Sequence, residues 1–200
     1  MLPLETIANQ ISICANCKVN QLPNRPGPCV PGLSFSKAEA ALMLLGEAPG
    51  YEEPLKGLPF VGPAGRLLQR NIRQAKLDLS KLFITNVLKH RPPNNRNPSS
   101  DEIAACLPFL LEQIKITRPK AILCLGKIAS YTIASLAHIE LPSTGVRGKR
   151  FTLKLFDSSI QIICTWHPSY ALRNQDNPNI QNELLLDLIA AYKEGTDESK

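Results

Sequence analysis

Two hundred residues, 44% of them hydrophobic and 20% charged, carry enough apolar material for one sizeable core, and a single globular domain over residues 1–194 is expected. The balance of 23 Lys and Arg against 17 Asp and Glu gives a net charge of +6 and a pI near 9.1, which favours an anionic partner such as nucleic acid. The opening MLPLETIANQISIC has no basic n-region and does not read as a signal peptide, and no stretch approaches the ~18 uninterrupted apolar residues of a membrane helix, so neither a secretory leader nor a membrane span is expected. The expected location is intracellular and cytoplasmic, where six cysteines read as core residues or metal ligands rather than disulfide partners.

In chain order, the segment Val19 to Ser36 contains Pro23, Pro26, Pro28 and Pro31 and is expected to be an ordered loop or flap without regular structure. Short apolar runs at Ala40 to Leu45, Leu82 to Val87, Ala121 to Leu125 and Ile160 to Thr165 predict buried parallel strands. Helical spacing predicts helices over Gly65 to Leu77, Asp101 to Thr117, Lys127 to Ala137 and Asn179 to Tyr192. The second of these has the clearest start, because Ser99 followed by Glu102 forms a capping box with Pro98 just outside it. Residues 195–200 read as a mobile polar tail. The alternating β-α order implies an α/β fold, a three-layer α/β/α arrangement around a central four-stranded parallel sheet with right-handed crossovers.

In open parallel sheets ligands bind beyond the carboxyl ends of the strands. Three turn-rich segments fall there: Gly46-Glu47-Ala48-Pro49-Gly50, the stretch from Asn86 to Lys89-His90-Arg91-Pro92-Pro93, and His167-Pro168-Ser169-Tyr170. GEAPG with the following GLPFVGPAGRLL, then ITNVLKHRPPNNRNP, then WHPSYALRN resembles the motif set of the uracil-DNA glycosylase superfamily, family 4, the iron–sulfur type. The likeness runs from Cys14 to Asn174 in matching order and spacing.

The resemblance implies a DNA-repair enzyme that hydrolyses the N-glycosidic bond of uracil in DNA, and the residue types suit that chemistry. A fixed amide at Asn86 accepts from uracil N3–H and donates to O4, whereas cytosine presents the opposite pattern; an asparagine capping a strand end is the plain alternative. Phe60 is expected to stack on an extruded base, or to be ordinary core. His167 is the expected donor to the charge that develops on the leaving base. The best-known branch of the superfamily has an aspartate where this chain has Ala48, so Glu47 or its backbone is expected to hold the water or the base. Gly46 and Ala48 complete the base pocket, and Glu53 is expected to border the C5 edge and exclude a thymine methyl group. Gly62 and Gly65 at a helix start are expected to hold a phosphate, with Ser169, Leu172 and Arg173 in the segment that resembles the family's DNA-intercalating loop.

Cys14 and Cys17 form a C-x-x-C pair, and Cys106 follows far along the chain. The resemblance implies a 4Fe–4S cluster, with these cysteines at three ligand positions and His90 at the fourth, where the family has cysteine. Imidazole replaces thiolate on iron in Rieske centres. Zinc in a Cys3His site, a substitute cysteine at Cys29, or no metal are the other outcomes. Cys124 and Cys164 read as core. No nucleotide cofactor is implied. Uracil-containing DNA is the expected partner and a monomer the expected state. A uracil-DNA-binding protein with weak or no turnover is the alternative, because Ala48 leaves no obvious base; a metal-stabilised nucleic-acid-binding module is a third.

Overall fold

The computed structural model describes residues 4–21, 27–35 and 39–196. Its elements in chain order are α1 (Leu4–Ser12), β1 (Leu33–Ser34), β2 (Leu42–Gly46), α2 (Glu52–Lys56), α3 (Pro63–Gln74), β3 (Leu82–Asn86), α4 (Ser100–Thr117), β4 (Ala121–Leu125), α5 (Lys127–Leu136), β5 (Arg150–Leu155), β6 (Ser158–Thr165), α6 (Pro168–Arg173) and α7 (Pro178–Thr196). The four apolar runs become β2, β3, β4 and β6. These four pair with one another in parallel, in register Gly46↔Asn86, Leu45↔Cys124 and Leu125↔Thr165 at their carboxyl ends.

Two antiparallel edge strands enlarge the expected four-stranded sheet to six, in the order β1-β3-β2-β4-β6-β5. β5 alternates Phe151, Leu153 and Leu155 with Arg150, Thr152 and Lys154, of which Leu153 is fully buried. That is the period of a strand with one wet face. β1 is two residues long and lies inside the proline-rich segment expected to lack regular structure. The same segment begins in a single 3-10 turn, Lys18–Gln21, while residues 22–26 and 36 of it lie outside the described residues.

Side chains alternate across the strands and build one core on each face. Met43, Leu45, Phe83, Ile122, Cys124, Ile162 and Cys164 pack with Leu110 and Ile114 of α4 and Ala129 and Ile133 of α5. Leu42, Leu44, Ile84, Leu123 and Ile163 pack with Leu67, Leu68 and Ile72 of α3 and Leu184 and Leu188 of α7. The three-layer arrangement follows from these two faces. Cys124 and Cys164 lie in the first of them, as core residues.

α4 starts with the expected capping box: the Ser99 hydroxyl accepts from the Glu102 N–H at 3.3 Å, and the Glu102 carboxylate accepts from the Ser99 N–H at 2.8 Å. α1, which the periodicity did not reveal, lays Ile7 and Ile11 with Cys29 against Phe109 and Ile116 of α4. α7 runs to Thr196, and a Cβ on Gly195 would run into the Ala41 carbonyl. Gly195 and Thr196 are therefore packed helix rather than tail; residues 197–200 lie outside the described residues. Among those described, no helix is long and apolar enough to cross a membrane.

Candidate active site

A cleft of about 790 Å³ opens at the carboxyl ends of the parallel strands, where this fold leaves a crevice between diverging loops. Glu47, Ala48, Glu53, Phe60, Gly62, Asn86, His167, Ser169, Leu172 and Arg173 line it. The three motif segments, far apart in sequence, meet there.

Asn86, the last residue of β3, is only 2% exposed. Its Oδ1 and Asn71 Nδ2 are the two buried side-chain polar atoms without a hydrogen-bond partner among the described residues. An unsatisfied buried acceptor costs about 1–3 kcal/mol, so an orphan at a cleft wall marks a place where a ligand donor fits. Gly46, opposite in the β2 register, leaves the space: a Cβ there would collide with Asn86 Oδ1 and the tip of the Phe60 ring.

Phe60 is buried and holds a left-handed backbone, φ 53°. Its carbonyl accepts from Gln69 Nε2 at 2.9 Å, and Gly65 packs so tightly on that carbonyl that any side chain would displace it. The Phe60 ring lies 6.2 Å from the His167 ring, centroid to centroid. Glu53 braces the same loop, with Oε1 accepting from the N–H groups of Val61 at 2.9 Å and Gly62 at 2.8 Å. One oxygen of Glu53 is thus turned into the loop, a role its sequence position did not disclose. The Gly62 N–H is likewise taken, and Pro63 has none, leaving Ala64 and Gly65 as the first-turn N–H groups of α3.

His167 caps α6. Its Nδ1 accepts from the Ser169 N–H at 3.1 Å and lies 2.7 Å from the Ser169 hydroxyl. A backbone N–H only donates, so Nδ1 is unprotonated and Nε2 carries the proton. Desolvation, helped by the Arg173 charge, pulls the ring's pKa from 6.5 to about 4, so it is neutral at pH 7. Trp166 beside it stacks on Tyr170 at 4.8 Å and donates to Glu183 at 2.7 Å, anchoring the segment. Burial raises the pKa of the Glu47 carboxyl. Also at the cleft mouth and unforeseen are Tyr51, with Arg91 5.1 Å above its ring, and Arg96.

Behind Asn86, the chain enters a sulfur-rich layer beneath α1 and α4. Cys17 Sγ lies 3.5 Å from His90 Nδ1, and Cys106 Sγ lies 3.9 Å from the same nitrogen. The other ring nitrogen faces a Glu102 oxygen at 3.9 Å. Burial keeps His90 neutral by lowering its pKa, while the Arg96 hydrogen bond, with the Ser99 backbone, pulls Glu102 down to about 2. Burial pushes the Cys106 thiol up to about 11, with Cys17 and Cys29 near enough to add to the shift. Cys14 packs on the cluster containing Cys29. The four donors expected from sequence and Cys29 therefore share one region, although among the described residues no three His, Cys, Asp or Glu side chains are arranged to hold a metal ion. Lys89 was missed by sequence reasoning: a lysine opening the basic, turn-rich segment Lys89-His90-Arg91 gives no sign that it is fully buried, and burial draws its pKa from 10.5 to about 7.

The model of the uracil DNA glycosylase superfamily matches residues 33–189. The chain is 42% identical over 174 residues to a type-4 uracil-DNA glycosylase of Saccharolobus solfataricus, covering 86% of this chain and 78% of that one. It is 37% identical to the type-4 enzyme of Archaeoglobus fulgidus over 86% of this chain and 84% of that one, and 34% identical to that of Pyrobaculum aerophilum over 98% and 96%. A cleft built from three convergent motifs and a family match across most of the chain agree, and the chain belongs to the uracil-DNA glycosylase superfamily, with the type-4 enzymes.

Proposed function

We propose that this chain is a monofunctional DNA-repair glycosylase that hydrolyses the N-glycosidic bond of uracil in DNA and leaves an abasic site. The observation that carries the reading is the orphaned Oδ1 of Asn86 at the cleft. Uracil N3–H satisfies that oxygen and uracil O4 accepts from Nδ2; cytosine, with the opposite pattern, leaves both ends mismatched. Gly46 and Ala48 leave room for the base. Phe60 stacks on it, an interaction of about 1–3 kcal/mol.

Bond cleavage leaves negative charge on the uracil and positive character on the sugar. His167, neutral with its proton on Nε2, donates a hydrogen bond to the charge growing on O2 without transferring the proton. Glu47 orients the attacking water and takes its proton; a carboxylate whose pKa is raised by burial is a better base at neutral pH than an exposed one. Glu53 holds the Phe60 loop, and through it the base edge. On the DNA side, Leu172 fills the space left by the extruded nucleotide, Ser169 and Arg173 contact phosphate, and the first-turn N–H groups of α3 at Ala64 and Gly65 receive a second phosphate, the Gly62 N–H being held by Glu53.

Cys14, Cys17, Cys106 and His90 would hold a 4Fe–4S cluster. The donor types suit iron: Cys17 and Cys106 Sγ lie 3.5 and 3.9 Å from His90 Nδ1, and Nε2 lies 3.8 Å from Cys17 Sγ and 3.9 Å from a Glu102 oxygen, a carboxylate placed to orient the imidazole. When bound, such a cluster cross-links the chain start, α4 and the loop after β3 and takes no part in the hydrolysis. An intracellular enzyme acting as a monomer belongs to the same proposal.

The test is a single-turnover incubation with an oligonucleotide containing one uracil, followed by alkaline cleavage. Strand scission at uracil but not at thymine or cytosine is expected, and Asn86→Ala and His167→Ala should each slow it by roughly 100-fold or more. Intact strands bound by a folded, iron-replete protein would replace the enzyme with a uracil-DNA-binding protein.

A further inference from the structure

Lys89 is 1% exposed, and its three ammonium hydrogens meet three acceptors: Thr85 Oγ1 at 2.9 Å, the Asn86 carbonyl at 2.6 Å and Gln113 Oε1 at 2.6 Å. None of these is a carboxylate, so charge pairing does not explain why a lysine is buried here. Gln113 in turn donates to the Pro31 carbonyl. The Lys89 backbone is held as well: its carbonyl accepts from the Val30 N–H at 2.6 Å and its N–H points at Cys106 Sγ at 3.4 Å. One residue thus ties together the end of β3, α4 and the loop before β1.

Asn86 needs such an anchor, because among the described residues its side-chain oxygen has no hydrogen bond to aim it. Its direction has to come from the backbone, and the Asn86 carbonyl is the atom that Lys89 grips. We propose that Lys89 is the positioning residue for Asn86, setting the uracil-reading amide against the cleft through the backbone of β3. The proposal rests on Asn86 being the uracil reader, but its structural half concerns only where the Asn86 amide sits. Lys89 does not touch the base; it restricts the amide that does, and its effect on catalysis passes through Asn86.

A double-mutant cycle tests this. Lys89→Met should lower kcat/KM for uracil excision by roughly tenfold or more and weaken inhibition by free uracil, and it should add almost nothing to Asn86→Ala. An equal fold-loss in both backgrounds would mean that Lys89 only holds the fold, and would overturn the proposal. If Lys89→Met does not fold, Thr85→Val, which removes one of the three acceptors, is put through the same cycle and judged by the same criterion. The side-chain amide resonances of Asn86 provide a readout independent of activity. They should be sharp in the wild type and broadened or shifted in the variant, and unchanged resonances would defeat the proposal even in a fully active enzyme. A wild-type protein that does not excise uracil would instead defeat the glycosylase reading and leave the amide signals to judge Lys89.

Discussion

The two nitrogens of His167 have different occupations, and this sets how the residue responds to pH. Nδ1 accepts from Ser169, so protonation would force a donor against a backbone donor. Desolvation opposes the same charge. The ring should therefore remain neutral, with its proton on Nε2, down to about pH 5 in ring-nitrogen NMR spectra. The linkage has a definite sign. An unfolded His titrates near 6.5 and the folded ring near 4, so the unfolded chain binds the extra proton between those values. The stability contributed by neutral His167 is complete above pH 6.5 and falls as pH drops through that window. Glu47, the proposed base, responds to acid in the same direction, since it too must be deprotonated to serve. Excision should decline as pH falls through its raised pKa, and Glu47→Gln should slow the reaction and flatten that acid limb in a pH–rate profile.

At the scale of elements, the site depends on strand ends and helix starts meeting at close quarters. At the end of β2 the Asn86 amide oxygen and the Phe60 ring leave Gly46 no space for a methyl group. Gly46→Ala should reduce kcat/KM by roughly 100-fold or more, as expected for a displaced reacting geometry, while circular dichroism still reports a folded chain. α4 supports the other side of the site, since it carries Cys106, Gln113 and Glu102. Removing its cap with Ser99→Ala should cost about 1 kcal/mol in denaturant unfolding. The backbone N–H of residue 99 still donates to the Glu102 carboxylate, whose bonds to Arg96 at 2.7 and 2.8 Å do not use the hydroxyl, so the loss should stay near that of one cap hydrogen bond.

Across the whole molecule, a sulfur-rich layer lies under α1 and α4, behind the base pocket, and the link between them is the short run from Asn86 to His90. With the proposed cluster bound, the Cys106→Ser variant should lose its iron, as read by iron and sulfide analysis and visible absorbance, and should melt at a lower temperature than the wild type. His90→Cys should keep the iron, because thiolate is the commoner ligand of such clusters. A net charge of +6 acts over the same scale. Binding to DNA should weaken steadily with added salt, with a log–log slope that counts the phosphates neutralised.

Much of this was legible in the chain. The four parallel strands declared themselves because both of their faces are buried, which demands uninterrupted runs such as Ala121–Leu125, and α4 did so because its cap is a local exchange between Ser99 and Glu102. The convergence of the motif segments was legible for a related reason: Asn86 ends β3, Glu47 follows β2 and His167 lies two residues past β6, at the strand ends where the cleft opens. Edge strands β1 and β5, the helix α1 and the extra turns of α7 were not, because their stability comes from neighbours distant in sequence rather than from their own patterns. The same distance hid the roles of Glu53 and Lys89. A carboxylate that binds loop N–H groups eight and nine residues away, and an ammonium group that reaches Gln113 across 24 positions, acquire their partners only when the chain folds. Sequence by itself determined the layers and the rim to which the motif segments converge, since burial and chain order are local demands, while the roles of the residues there rest on the family resemblance. Which polar group satisfies which, and which one is left open for a ligand, was decided by the tertiary structure, because hydrogen bonds depend on positions in space.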